Sequence, residues 1–384
     1  MVIRSVLLSH IRNHVHTELH CAGDVNVLSG PNGSGKTSVL EAISLCAVAK
    51  TFVPVPDHAL IQQGMEDCSV TTVAMRDLDV PYRVTVSMGH GIRKRIVTSH
   101  ATQCSPRDII GEMPIVALSP DHKGITFGAP SERRAFLDGV MAQSSKRYTE
   151  LLYEHRRVLK QRNSVLQQAR GHAPAELDVW TQQLIHLSAE ITERRARFLI
   201  EITPLIKQCY ATVSGNAENI SIEYQPDICE HGFVGSVSDV SRDVLVGELQ
   251  NIASGLRSRE LVRETTLFGP QKDEVRFLIN GGLVRETASQ GQHKSLLVAL
   301  KLAECSLLHA RCNERPIVLL DDVFSELDRE RCEHVLLEIL NSGMQCFIST
   351  TNGREVMDML HALGAQRSRQ LESTLHSLSH AEAA

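Results

Sequence analysis

Apolar residues fall in short alternating runs over the first third of the chain and then recur at helical spacing, so the period of the pattern divides it. VIRSVLLSHI at 2–11 and DVNVLSG at 24–30 read as two strands separated by a polar turn around Ala22 to Asp24. Ser69 to Met75 and Val80 to Met88 are rich in β-branched residues, with Asp77 to Asp79 as a hairpin turn. Gly89 to Gly91 lead into a basic strand, IRKRIVTS, and Pro114 to Leu118 supply another. The pattern predicts a mixed β lobe over this part.

From Ser131 the spacing becomes helical. Apolar doublets recur every seven residues at Leu151 and Leu152, Val158 and Leu159, Val165 and Leu166. Leu177, Leu184, Ile191 and Phe198 keep the same period until Pro204 ends or kinks the helix, and Gly171 to Pro174 supply a turn between the two series. Two heptad helices with a short connection predict an antiparallel arm or lobe; a bundle packed only on itself has the same spacing. Residues 214–247 read as a strand and loop, Val244 to Glu264 as a helix, and Thr265 to Ile279 as a second sheet region. Ala365 to Ala384 are polar and small, which predicts a loosely ordered tail.

With 384 residues the chain is long enough for two or three domains. Its 40 Lys and Arg against 45 Asp and Glu give no overall attraction to nucleic acid, so any anion-binding face is local. Residues 131–171 are such a region, with nine basic residues against four acidic ones, net +5. Within it Arg156, Arg157 and Lys160 fall on one helical face, either a solvated basic face or one that meets DNA phosphates. The ten cysteines lack metal-ligand spacing and suit a reducing compartment. No apolar run approaches the roughly 20 residues of a membrane span, and the expected location is cytoplasmic.

The stretch VNVLSGPNGSGKTSVLEAI at 25–43 places G-x-x-x-x-G-K-T between a strand and a helix. Gly30, Pro31, Asn32, Gly33, Ser34 and Gly35 form the loop, whose backbone N–H groups and helix start favour phosphate oxygens. Lys36 would reach the β- and γ-phosphates of ATP, and the Thr37 hydroxyl would ligate Mg2+. Much later, PIVLLDD at 316–322 is a buried-strand pattern that ends in two carboxylates. Asp321 suits the Mg2+ role, and Asp322 the polarisation of an attacking water. Between them lie SQGQ at 289–292, a helix start that is either a phosphate-binding turn or a plain N-cap.

This order of motifs, with a helical arm inserted between the sheet halves, resembles the ABC-type ATPases of the Rad50 and SMC group, and within it the RecF family. The resemblance rests on LLSHIRNH at 7–14, SPDHKGITFGAPSERRAFLD at 119–138, GPQKDE at 269–274, ASQGQHKSLLVALKLAE at 288–304 and LLDDVFSELD at 319–328. It implies an α/β fold: an ABC-type P-loop ATPase head with mixed sheets plus an inserted helical arm. The expected division is 1–130 and 214–364 for the head, 131–213 for the arm and 365–384 for the tail. It also implies that Lys36, Asp322 and Ser289 carry hydrolysis, that Ser289, Gly291 and Gln292 cap the γ-phosphate of a second copy, and that Arg12 joins the ATP-contacting set. Ser325 to Asp328 resemble the loop that crosses the dimer seam. The implied function is a DNA-binding ATPase of recombinational repair and replication restart. An ATP-dependent homodimer would clamp single-stranded or gapped DNA, act with RecR and RecO, help load RecA and support SOS induction. Hydrolysis would be slow.

Transporter-type relatives have Glu where Asp322 stands, a switch histidine where this chain has Thr350 or Thr351, and a glutamine near Ser119. In GPQKDE, Gln271 and Lys272 depart from the family's usual His and Arg and receive no role. Two other classes share these motifs in part: the ATPase subunit of a membrane transporter, and a structural protein that binds ATP without DNA. The missing switch histidine and the long insertion weigh against the first, and the net +5 region against the second.

Overall fold

The structure, a computed structural model, describes all residues except 54, 170–173, 216–217, 324–328, 366–371 and 380–384. The expected seam loop at 325–328 lies outside the described residues. Strands in chain order are β1 Val2–Ile11, β2 His14–His20, β3 Val25–Ser29, β4 Asp67–Met75, β5 Pro81–Gly89, β6 Ile92–Thr98, β7 Ile115–Leu118, β8 Ile220–Gln225, β9 Glu274–Ile279, β10 Gly282–Leu283, β11 Ile317–Asp321, β12 Cys346–Thr350 and β13 Ser373–Ser377. The chain divides into two compact units, Met1–Lys123 with Lys294–Ala384, and Gly124–His293.

In the first unit an antiparallel sheet runs β2-β1-β4-β5-β6 and a parallel sheet runs β13-β3-β12-β11-β7. β4 and β5 alternate, burying Cys68, Val70, Thr72 and Ala74 on one strand and Tyr82, Val84, Val86 and Met88 on the other. β11 and β12, inside the parallel sheet, are buried along their whole length, as strands covered on both faces must be. The helix Lys36–Val48 packs against strands of both sheets. It buries Val39, Leu40, Ile43, Leu45 and Cys46 around its circumference, which fits a helix with no solvent face. Its left-handed N-cap, Gly35 at φ 93°, turns the chain out of β3 and into the helix.

Residues 2–30 hold three strands rather than the two expected. β2 escapes the pattern because it is an edge strand whose buried residues are only His14 and Leu19. The polar tail is also corrected in part. Ser373–Ser377 pairs in parallel with β3, and Leu378 N–H donates to Ser29 O at 2.8 Å. An edge strand needs backbone partners more than apolar side chains, so its composition resembled a tail.

The second unit is larger than the arm expected at 131–213, and it takes in 214–293 as well. The helices Lys146–Gln168 and Glu176–Ser214 pack along each other, and the latter also packs on Arg242–Arg263 and β8. A core of Val158, Leu184, Ile185, Leu245, Leu249 and Phe268 joins these segments, with an antiparallel sheet β10-β9-β8 beside them. Arg162 makes two bonds to Glu260, at 2.6 and 3.1 Å, with side chains 2% and 0% exposed. The long helix runs through Pro204 instead of stopping there. The bond lost is to the carbonyl of Ile200, a residue 61% exposed, where water can satisfy it.

Candidate nucleotide site

Strand order brings the two halves of the site together. β12 lies between β3 and β11, with Ser29 opposite Thr350 and Ser349 opposite Asp321, so the loop after β3 and the acids at the end of β11 share the carboxyl edge of one sheet. That edge is where open α/β sheets bind ligands. Thr37 Oγ1 donates to Asp321 Oδ1 at 2.8 Å, and Ser349 Oγ donates to the same oxygen at 2.7 Å. Asp322 N–H donates to Ser349 Oγ at 2.9 Å, with the Asp322 backbone left-handed at φ 49°. Thr350, in the switch-histidine region, is buried and accepts from Asn352 N–H at 3.1 Å.

Lys36 Nζ donates to the loop's own carbonyls, Gly30 O at 2.8 Å and Pro31 O at 2.9 Å. Burial lowers the Lys36 pKa, against the charges of Asp322 and Asp321. Burial raises that of Asp321, against its bonds from Ser349 and Thr37. Both shifts are those of charged groups held away from water. Ser34 Oγ is buried without a hydrogen-bond partner among the described residues. Gly33 and Gly35 have φ 81° and 93°, as a curled anion-binding loop requires. Gly30 is a glycine for another reason: a Cβ there would stand 2.2 Å from Leu378 O.

The turn after β1 braces the loop from outside. Asn13 Nδ2 donates to Gly33 O at 3.0 Å and His14 Nε2 to Gly35 O at 3.1 Å. The His14 ring therefore carries its proton on Nε2 and accepts at Nδ1 from Thr17 Oγ1 at 2.9 Å, and burial lowers its pKa. Arg12, left-handed at φ 50°, gives NH2 to Glu41 Oε1 at 2.8 Å. Glu41 is 1% exposed, and burial pushes its pKa up to about 7; Arg12 opposes the rise while the charges of Asp321 and Asp121 add to it. Sequence reading missed His14, Glu41 and Ser349. The signal for Glu41 was an acid inside the apolar run VLEAISL, on a helix with no polar face. Ser119, near the expected glutamine position, is buried; its N–H donates to His122 Nδ1 at 3.1 Å.

The donor set fits Mg2+: a hydroxyl and a carboxylate, both hard oxygen ligands, already share a contact, so Thr37 and Asp321 would hold the ion. Ser289, Gly291 and Gln292 belong to the second unit. There Ser289 N–H donates to Gln292 Oε1 at 2.6 Å and Gln292 N–H to Ser289 Oγ at 3.2 Å, the reciprocal capping box of an N-cap. The Ser289 hydroxyl keeps its own hydrogen to donate, and the side chain is exposed.

Arg156, Arg157 and Lys160 are exposed, and Arg157 is bonded to Glu154. The rest of the net +5 region is less basic at the surface than its count suggests. Arg133 pairs with Glu274 at 2.7 Å, Arg134 donates to Asp273 O at 2.7 Å, and Arg162 is buried on Glu260.

Residues 2–374 match the family model of the RecF/RecN/SMC N-terminal domain. The chain is 34% identical over 358 residues to the DNA replication and repair protein RecF of Chlorobium luteolum, covering 92% of this chain and 95% of that protein. The RecF of Chlorobium limicola is 35% identical over 353 residues, with 91% and 95% covered. The solved structure of the recombination mediator protein RecF with ATP, in the RecFOR pathway, superposes with a TM-score of 0.84 at 25% identity, covering 91% of this chain and 92% of that one. An SMC head bound to the C-terminal winged-helix domain of ScpA shares the fold, with a TM-score of 0.53 at 14% identity over 94% of this chain and 92% of that one.

Proposed function

The chain belongs to the RecF family, and from that premise we propose that it is an ATP-binding protein of DNA replication and repair whose nucleotide joins two copies into a clamp on DNA. The observation that carries the reading is the contact of Thr37 with Asp321 at 2.8 Å, across 284 residues of sequence, beside a loop with a buried lysine and a buried serine hydroxyl that has no partner among the described residues. That is the arrangement that holds a triphosphate and its metal.

In this reading Lys36 leaves the carbonyls of Gly30 and Pro31 for the β- and γ-phosphate oxygens. The backbone N–H groups of Gly33 to Thr37 and the Ser34 hydroxyl complete the cradle, and Arg12 contacts the nucleotide from the adjoining turn. Thr37 and Asp321 would hold Mg2+, which would supply neutralisation of the phosphate charge. Asp322 orients the attacking water. Its side chain is one methylene shorter than the glutamate of transporter-type relatives, which supports slow turnover in which the nucleotide serves mainly to hold copies together.

Ser289, Gly291 and Gln292 cap the γ-phosphate of the second copy, the Ser289 hydroxyl donating the hydrogen its capping bond leaves available. Arg156, Arg157 and Lys160 then meet the DNA backbone, so binding weakens as salt rises. RecR, RecO and RecA are the partners that the family's pathway suggests, with single-stranded or gapped DNA as substrate.

Sedimentation with and without Mg2+-ATP, and with a gapped DNA at two salt concentrations, tests the proposal. ATP is expected to convert monomer to dimer, and only the dimer to retain DNA. Lys36→Ala is expected to abolish the dimer, whereas Asp322→Asn keeps it and stops hydrolysis. Dimers that form equally well with Lys36→Ala would refute the clamp.

A further inference from the structure

The side-chain amide of Gln292 is held at both ends. Its Oε1 accepts from Ser289 N–H at 2.6 Å, and its Nε2 donates to Glu218 Oε1 at 2.6 Å. The second oxygen of Glu218 accepts from the hydroxyl of Tyr210, a residue 0% exposed in the last turns of the helix Glu176–Ser214. Glu218 is 74 residues from Gln292 in sequence and lies just before β8, outside the signature motif SQGQ at 289–292.

An isolated capping box leaves its amide able to rotate. Here the carboxylate accepts only, so it admits one orientation of the Gln292 amide, nitrogen toward Glu218 and oxygen toward Ser289. That orientation makes the Ser289 N–H bond and sets the turn on which the Ser289 hydroxyl stands. The Tyr210 bond in turn fixes the carboxylate to the end of the long helix.

We propose that Glu218 is the positioning residue of the signature turn, holding Ser289 and Gln292 in the form that meets the nucleotide of a second copy. This rests on the reading of Ser289 given above. Glu218 acts through Gln292 and itself touches no nucleotide. It connects the turn to the helix Glu176–Ser214, so a displacement at the end of that helix reaches Ser289 through three hydrogen bonds, Tyr210 to Glu218, Glu218 to Gln292 and Gln292 to Ser289.

The test is ATP-dependent dimerisation of the full chain, by sedimentation with Mg2+-ATP, for Glu218→Ala, Glu218→Gln and Ser289→Arg. Melting temperature and the binding of a fluorescent ATP analogue at concentrations where protomers are separate are measured alongside. Loss of one charge-assisted hydrogen bond predicts dimerisation weakened about tenfold or more by Glu218→Ala. Analogue binding and melting should stay as in the parent chain. Glu218→Gln, which offers Gln292 an acceptor and Tyr210 a hydrogen-bond partner, restores most of the affinity. The inference is overturned if Ser289→Arg blocks dimerisation while Glu218→Ala dimerises like the parent. It is also overturned if Glu218→Ala and Glu218→Gln fall equally, with a drop in melting temperature, since that marks a merely structural contact. Unimpaired dimers of Ser289→Arg would refute the signature reading itself, and this inference with it.

Discussion

Replacing Glu41 by Gln removes a buried carboxyl whose pKa in the fold is about 7, against 4.5 for an unperturbed glutamate. The folded chain therefore holds a proton that the unfolded chain has already lost. The contribution of this group to stability is fully present below pH 4.5 and is lost as pH rises through about 7. At roughly 1.4 kcal/mol per pH unit over that interval, the loss amounts to about 2.5 kcal/mol between pH 5 and pH 8. The Gln variant has no such titration. Its amide oxygen still accepts from Arg12, and the weakening of that bond shifts its stability by a similar amount at both pH values, because the Arg12 side chain is 32% exposed and stays hydrated and charged. Urea unfolding of parent and variant at pH 5 and pH 8 isolates the effect, since titrations common to both chains cancel in the difference. Glu41→Gln should gain about 2.5 kcal/mol on the parent between the two conditions. Parallel pH profiles would refute the argument, because they would mean that Glu41 is ionised in the fold as freely as in the unfolded chain.

Gly30→Ala puts a Cβ 2.2 Å from Leu378 O, so the segment after β13 must shift, and a loss of about 1–3 kcal/mol is expected in thermal or urea unfolding. In a chain lacking residues 372–384 the same substitution should cost less, the remainder being the crowding of Ser34 Oγ at 2.7 Å; an equal cost in both would place all the strain in the loop itself. Arg162→Met strands the Glu260 carboxylate, 0% exposed, and should destabilise by about 3–5 kcal/mol, while Arg162→Met with Glu260→Leu recovers most of that in a double-mutant cycle. Asp322→Asn should leave unfolding unchanged, since Asn accepts φ 49°, whereas Asp322→Val at the same backbone angle should lower stability by about 1 kcal/mol or more.

The sequence was sufficient for features that neighbouring residues build among themselves. The loop Gly30 to Thr37 with its flanking strand and helix, the strand ending at Asp321, and the helix start at Ser289 are all contiguous, and their spacing encodes a backbone path. Period and turn residues likewise showed the long helices and most of the first unit's strands. What the sequence left open depends on pairs far apart in the chain. Only the order of the parallel sheet puts Asp321 against Thr37, and only the return of β13 brings the Leu378 carbonyl against Gly30, where a Cβ would also crowd Ser34 Oγ. Charge counting along 131–171 overstated the basic surface, because Arg133, Arg134 and Arg162 find their partners in segments more than 90 residues away. The unusual acidity of Glu41 belongs to this class too. Ionisation depends on the solvent and charges around a group, and those are supplied by the packed chain, so a linear reading names the acid while only the fold decides its proton.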